Sequence, residues 1–436
     1  MAIFNPEMET MAREQLAKLQ LHRLRHMVDY CVQRVPFYIN RLGEAGISSG
    51  ADIRTLDDIR HIPFTTKDDL RENYLDGLLA VPKGEIARIH ASSGTTGKPT
   101  MGFYTRRDLD TWAELSARML AQGGVTPEDV LQVSVSYGLF TGAFGIHGGA
   151  EKLGCTIVPA SAGNTHKQLL MLRDCGVTAL IATPSYAAYL SDLIAHSDDS
   201  SETYSLRRVL FGAERTTDSM RRAVERNLNC FTADNYGLTE FFGPGVSGEC
   251  EAQAGMHIAE DVFYPEIIEP ETGVPLPDGE EGELVLTSLY REALPLLRYR
   301  TRDLTSITHE PCSCGRTSCR MRAPKARTDD MFVFKGVNIF PSEIERAMYA
   351  VEELSPYYRI ILTRAGYQDS AKLRVELRQP LSSFSERELA QIEEKLTARL
   401  REAAGVKLGI ELLDPDTLER FTGKAKRVED LRYSAD

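Results

Sequence analysis

Between about Val130 and Tyr236 the chain alternates short apolar runs with helix-like spacers, and this alternation constrains the fold of the 436 residues more than any other feature. Val130-Leu131-Gln132-Val133-Ser134-Val135, Cys155-Thr156-Ile157-Val158, Ala179-Leu180-Ile181-Ala182 and Val209-Leu210-Phe211 read as buried strands. Lys167–Arg173, Ser185–His196 and Asp218–Arg226 read as helices. Strands that are apolar on both faces and joined through helices form a mostly parallel sheet covered on both sides. An amphipathic helix from about Glu9 to Gln33, carrying Leu16, Leu19, Leu21 and Leu24, precedes this region. From Glu266 the pattern changes: turns at Pro270–Gly273 and Pro277–Gly279 separate strands Tyr264–Ile268 and Glu283–Thr287, as in a β-rich subdomain.

Beyond Asp330 the order is strand (Met331–Phe334), helix (Pro341–Val351), strands (Tyr357–Thr363 and Lys372–Arg378), helix (Glu386–Ala403) and strand (Lys407–Leu412). The expected fold class is therefore α/β. A large N-terminal domain over residues 1–328 has mostly parallel sheets flanked by helices plus a β-rich subdomain, and a small α+β C-terminal domain covers 329–436. A chain of this length is too long for a single core. Its net charge of -12, with no basic run, argues against a nucleic-acid partner. No apolar run reaches the length of a membrane helix, and Met1–Glu7 lacks a signal-peptide pattern, so a cytoplasmic protein without a membrane partner is expected. Eight scattered cysteines do not make a disulfide framework.

Ser92-Ser93-Gly94-Thr95-Thr96-Gly97-Lys98-Pro99-Thr100 packs hydroxyls, glycines and a lysine into one stretch, chemistry that suits a polyphosphate. It is not a Walker A loop. Ser92 stands where a glycine is needed, and Pro99 replaces the Ser or Thr that would hold magnesium and open a helix. The flanks, Ile86–Ala91 and Met101–Tyr104, read as strands, giving a strand–loop–strand grip.

On this loop and four further stretches in order, the chain resembles the adenylate-forming (acyl-CoA synthetase and ligase) superfamily. The stretches are Asn235-Tyr236-Gly237-Leu238-Thr239-Glu240; Tyr299-Arg300-Thr301-Arg302-Asp303; Arg327-Thr328-Asp329-Asp330 with Lys335-Gly336-Val337-Asn338-Ile339-Phe340-Pro341; and Gly423-Lys424. The short length and the wording of the hinge are similar to phenylacetate–CoA ligases and their aryl-CoA ligase relatives. The resemblance implies ATP, magnesium and coenzyme A, and an acid activated as its acyl-adenylate before transfer to the thiol. Ser92 to Lys98 would hold the β- and γ-phosphates, with Thr239 and Glu240 serving the α-phosphate and magnesium. Gly212, Ala213, Glu214, Asn235, Tyr236 and Gly237 would line the adenine. Asp303 would grip the ribose hydroxyls, and Arg327 would add a ribose or phosphate contact. Lys424 would be the catalytic lysine bridging carboxylate and α-phosphate, and Asp329 the hinge of a mobile C-terminal domain whose Lys335-Gly336 side meets coenzyme A.

Ser136–Gly145 follows a buried strand with aromatics and glycines, a wall suited to a flat apolar acid. The family's acid pocket lies hereabouts, which selects Tyr137, Phe140 and Phe144 over a reading as ordinary core. The expected acid is a small aromatic carboxylic acid, phenylacetate or a benzoate type. Self-association into a homodimer is left open.

Cys312-Ser313-Cys314-Gly315-Arg316-Thr317-Ser318-Cys319 is dense in thiols, and Cys250 and His257 lie upstream. Cys250, His257, Cys312 and Cys314 make a candidate structural zinc set, with Cys319 in reserve. The alternative is reduced thiols in a surface loop. Two rival functions share the fold: an aryl-acid adenylation enzyme that loads a carrier protein, and a non-catalytic nucleotide-binding regulator. No carrier domain is fused to this chain, and Lys424, Glu240 and Asp303 are those a mere sensor could lose.

Overall fold

The apolar runs become one half of a nine-stranded sheet. Strands β3 (Val130–Val133), β4 (Thr156–Val158), β5 (Ala179–Ala182), β6 (Arg208–Phe211) and β7 (Phe231–Leu238) pair in parallel in the order 4-3-5-6-7. The intervening segments form helices Gly142–Leu153, Thr165–Asp174, Pro184–Ala195 and Asp218–Leu228. This is the computed structural model of the chain, and it describes residues 2–92, 99–195, 203–214, 216, 218–327, 331–339, 341–418 and 427–433. The sheet continues past β7 through strands the periodicity did not foretell. β8 (Gly243–Glu249), β9 (Met256–Ile258), β14 (Arg320–Met321) and β13 (Ile307–Thr308) add in antiparallel fashion. β8 reads Gly-Pro-Gly-Val-Ser-Gly-Glu, a turn-like composition, yet every residue of it is buried between two neighbouring strands.

The β-rich subdomain is the antiparallel sheet β10 (Phe263–Ile268), β11 (Gly282–Ser288), β12 (Tyr299–Thr305) and β15 (Ala326–Arg327). β1 (Arg88–Ala91) and β2 (Met101–Tyr104), the strands on either side of the Ser92–Thr100 stretch, pair in antiparallel fashion. The predicted N-terminal helix runs from Arg13 to Arg34 and buries Leu16, Leu24, Met27, Val28 and Cys31. Helix Arg106–Gln122 follows β2, opened by a reciprocal capping box between Thr105 and Asp108. Its Trp112 indole donates to the Pro244 carbonyl at 3.0 Å, and Ser116 Oγ donates to the same oxygen at 3.2 Å. Helix Gly142–Leu153 packs against it through glycine: a Cβ on Gly145 would stand 2.4 Å from the Trp112 ring.

Two units separate, with the main break between Thr328 and Asp329; the sheets above belong to the first. The second holds the two-stranded ribbon β16 (Phe332–Phe334) and β17 (Val337–Ile339), and a four-stranded sheet. In that sheet β18 (Leu354–Ala365) and β19 (Gln368–Leu377) are central, flanked by β20 (Gly409–Leu413) and β21 (Val428–Asp430). Helices Pro341–Tyr349 and Glu386–Ala404 cover its core of Ile344, Met348, Ile360, Leu373, Val375, Leu396 and Leu400. Ser385 and Glu388 cap the longer helix at its start, and Gly405 ends it at φ +64°. The predicted strand–helix–strand–strand–helix–strand order is present, with β17 and β21 as additions.

Candidate active site

Of the residues singled out in the first unit, Tyr137, Phe140 and Phe144 follow β3, Gly212–Glu214 follow β6, and Thr239 and Glu240 follow β7, at the carboxyl ends where open α/β sheets bind ligands. At the end of β6, Phe211 leads into Gly212, Ala213 and Glu214, with Ala213 at φ +69°. The Asn235 amide donates to the Phe211 carbonyl at 2.6 Å, which fixes Asn235 beside this turn. Gly237 lies opposite Pro244 across a bulge between β7 and β8, and a Cβ there would lie 1.9 Å from the Gly243 carbonyl. Only glycine fits. Thr239 and Glu240 follow in a short 3₁₀ turn.

Two phenol–carboxylate bonds join the nine-stranded sheet to the β-rich subdomain. Tyr236 on β7 donates to Asp303 Oδ2 on β12 at 2.6 Å, and Tyr299 on β12 donates to Glu240 Oε1 at 3.1 Å. Both carboxylates are buried. The arginines flanking Asp303 turn elsewhere: Arg300 pairs with Glu283 on β11 at 2.6 Å, and Arg302 reaches the same carboxylate at 3.7 Å. Asp303 is thus held by Tyr236 while its arginine neighbours pair with another acid. Arg327 faces Asp303 in the backbone register of β12 and β15.

The neck of the candidate phosphate loop is closed by Ser92. Its amide donates to the Thr100 carbonyl at 2.8 Å, and its hydroxyl accepts from the Thr100 amide at 3.1 Å. Ser93, Gly94, Thr95, Thr96, Gly97 and Lys98 lie outside the described residues, as do Asp329 and Lys424. In the second unit Lys335 and Gly336 are the two turn residues between β16 and β17. Their φ values of +53° and +76° belong to a two-residue hairpin with positive φ at both positions.

Of the aromatics after β3, Tyr137 and Phe144 meet edge to face with centroids 5.4 Å apart. The Tyr137 hydroxyl lies 3.0 Å from His147 Nδ1, and burial pushes its pKa up to about 12. Phe140 is 39% exposed and stands outside this ring cluster among the described residues. The cluster extends to residues that the sequence did not mark. His90 packs 5.6 Å from Phe144, Tyr104 and Trp112, and Tyr104 stacks on Trp112 at 4.9 Å. His90 and Tyr104 lie on the two strands flanking the Ser92–Thr100 stretch, and Trp112 on the helix that follows.

Cys250, His257, Cys312 and Cys314 bring their ligand atoms within 4.8 Å of one another. Cys250 and Cys312 sulfurs are 3.7 Å apart, and Cys314 Sγ is 3.3 Å from His257 Nε2. A tetrahedral zinc with bonds to sulfur of about 2.3 Å sets its sulfurs about 3.8 Å apart, so the spacing and the soft donor set fit zinc. His257 Nδ1 lies 3.2 Å from Ser318 Oγ, and burial beside Arg316 lowers the imidazole to about 4, which keeps it neutral. Cys319 is elsewhere: it groups with Glu260 and His309, and its amide donates to Glu260 at 2.6 Å. The cysteine loop is anchored from behind by a buried ion pair, Arg316 to Glu9 at 2.5 Å.

Among the described residues, the candidate site thus holds two buried carboxylates, Asp303 and Glu240, each bonded to a tyrosine. The AMP-binding enzyme family matches residues 17–289, and the AMP-binding enzyme C-terminal domain matches residues 336–432. The chain belongs to this AMP-binding, adenylate-forming family. It is 45% identical to the phenylacetate-coenzyme A ligase of Thermus thermophilus, over 99% of this chain and 100% of that protein. The phenylacetate-coenzyme A ligase of Escherichia coli is 42% identical over 97% of each chain. Among solved structures, a 2-hydroxyisobutyryl-CoA ligase in complex with 2-HIB-AMP and CoA superposes with a TM-score of 0.91. It is 29% identical, over 98% of this chain and 92% of that one.

Proposed function

We propose that phenylacetate, or a close aryl relative such as a benzoate-type acid, is the acid taken by this ATP-dependent acid–coenzyme A ligase. The observation that carries the choice of acid is the Tyr137–Phe144 ring pair after β3, in a chain alike over its whole length to phenylacetate ligases. A flat ring gains its binding energy from edge and face contacts with such a pair.

Forming a thioester from a free carboxylate is uphill, so the acid is first activated. Its oxygen attacks the α-phosphorus of ATP, the bond to the β-phosphate oxygen breaks and pyrophosphate leaves. The thiol of coenzyme A then attacks the acyl carbon and AMP departs. The protein aligns these groups and offsets charge where it builds up. Asp303, positioned by Tyr236, takes the ribose hydroxyls, and Gly212–Glu214 with Asn235 and Tyr236 flank the base. Ser92 opens the loop that grips the leaving phosphates. Glu240, held by Tyr299, would carry magnesium, which screens the phosphate charge when bound. Thr239 serves the α-phosphate, with Arg327 a further contact. Lys424 bridges carboxylate and α-phosphate in the first half-reaction, and Lys335-Gly336 serves coenzyme A in the second. Zinc at Cys250, His257, Cys312 and Cys314 would have four protein ligands and no place for water, a structural role.

A screen of carboxylic acids by pyrophosphate release, with and without coenzyme A, tests this reading. Phenylacetate should give AMP and pyrophosphate in equal amounts, with acyl-CoA forming only when coenzyme A is present. Stoichiometric ADP would overturn the mechanism, and preference for a non-aromatic acid would overturn the choice of substrate.

A further inference from the structure

The loop that bears the candidate acid wall is tied to the strand that leads into the phosphate loop. Two bonds of that tie end on one atom. The Leu139 carbonyl accepts the Ala91 amide at 3.0 Å and lies 3.0 Å from His90 Nδ1. A carbonyl only accepts, so Nδ1 carries the proton in that bond. The next residue, Ser92, closes the neck of the phosphate loop on Thr100.

His90 is buried to 2% exposure, and its ring stands edge-on to Tyr104 and Trp112 and tilted against Phe144. With Nδ1 protonated, the neutral ring presents Nε2 as an acceptor, and Nε2 is buried with no hydrogen-bond partner among the described residues. Burial lowers the imidazole pKa, which favours the neutral form. A residue needed only for packing here would be apolar, since an orphaned ring nitrogen costs stability without return. What the imidazole supplies that an apolar ring does not is the bond to Leu139.

We propose that His90 is a positioning residue for adenylation: through the Leu139 carbonyl it sets the acid loop, Tyr137 and Phe144 included, against the start of the phosphate loop. The inference rests on the ligase reading above. Attack on the α-phosphorus requires acid and phosphate at a fixed separation, and without the imidazole the Leu139 carbonyl would keep only the Ala91 amide to tie this end of the loop to β1. Releasing the tie weakens acid saturation before it weakens ATP saturation, because the Tyr236–Asp303 and Tyr299–Glu240 bonds do not pass through Leu139.

Two polar substitutions of similar size separate the ring nitrogens. An asparagine amide reaches the place of Nδ1, and a glutamine amide that of Nε2. In pyrophosphate exchange on the full chain, His90→Gln should raise KM for the acid about tenfold, with KM for ATP within about twofold of the unaltered protein. His90→Asn should return the acid KM to within about threefold. The acid used is whichever the unaltered protein activates, so failure of the phenylacetate assignment changes the acid and not the comparison. If glutamine is tolerated and asparagine is not, Nε2 is the working atom and the proposal falls. If His90→Gln fails to fold, or loses acid and ATP saturation equally, His90 is a core residue and the proposal falls as well.

Discussion

Two carboxylates proposed to serve the nucleotide and its magnesium are each held by a tyrosine: Asp303 by Tyr236, and Glu240 by Tyr299. Hydrogen bonds to ionised groups contribute more than neutral ones, so these two bonds set the carboxylates before any ligand arrives. Tyr236→Phe removes one phenol and with it the bond to Asp303 Oδ2. The expected result is about a tenfold rise in KM for ATP, about 1.4 kcal/mol, with KM for the acid little changed; isotherms for both substrates check it. The sequence made Asp303 a candidate but left open a salt bridge to a neighbouring arginine. Glu283, on β11 next to β12, pairs with both Arg300 and Arg302. A pairing across strands follows from register, which local sequence does not state.

Among the elements, the cysteine loop joins segments far apart in the chain. Cys312 and Cys314 approach Cys250 and His257 because β14, which follows the loop, pairs with β9, which carries His257. Arg316 meanwhile fastens the loop to Glu9 and to the Ala2 carbonyl. A metal clip across such a span limits the unfolded chain and adds stability. About one zinc per chain is expected by elemental analysis. Cys312→Ser with Cys314→Ser should lose that metal and lower the melting temperature by about 5 °C or more in calorimetry. Metal-free protein from zinc-replete cells, with unchanged melting after the substitutions, would return these cysteines to a plain loop. The thiol-rich run was legible in the sequence, but the choice among its cysteines was not. Cys314 joins the cluster, whereas Cys319, five residues on, is directed toward Glu260.

At the scale of the molecule, the two half-reactions give the second unit a separable test. Lys424→Ala is expected to abolish acyl-adenylate formation yet leave thioester formation from supplied acyl-adenylate within about threefold, measured by acyl-CoA yield. Equal loss in both halves would remove Lys424 from a role specific to the first. By itself the sequence determined the parallel strands β3 to β6, because apolar runs broken by amphipathic helices leave a chain few other ways to bury its backbone. Its resemblance to the adenylate-forming superfamily also marked the candidate nucleotide motifs. Only the tertiary structure decided the antiparallel extension through β8 and β9. There, burial between neighbours overrides the turn-like character of Gly243–Glu249. It alone brought Tyr299 to Glu240, Tyr236 to Asp303 and His90 to Leu139. Local composition reports what a residue can do; which partner it meets depends on contacts between segments that folding brings together from 49 to 67 residues apart in these three pairs.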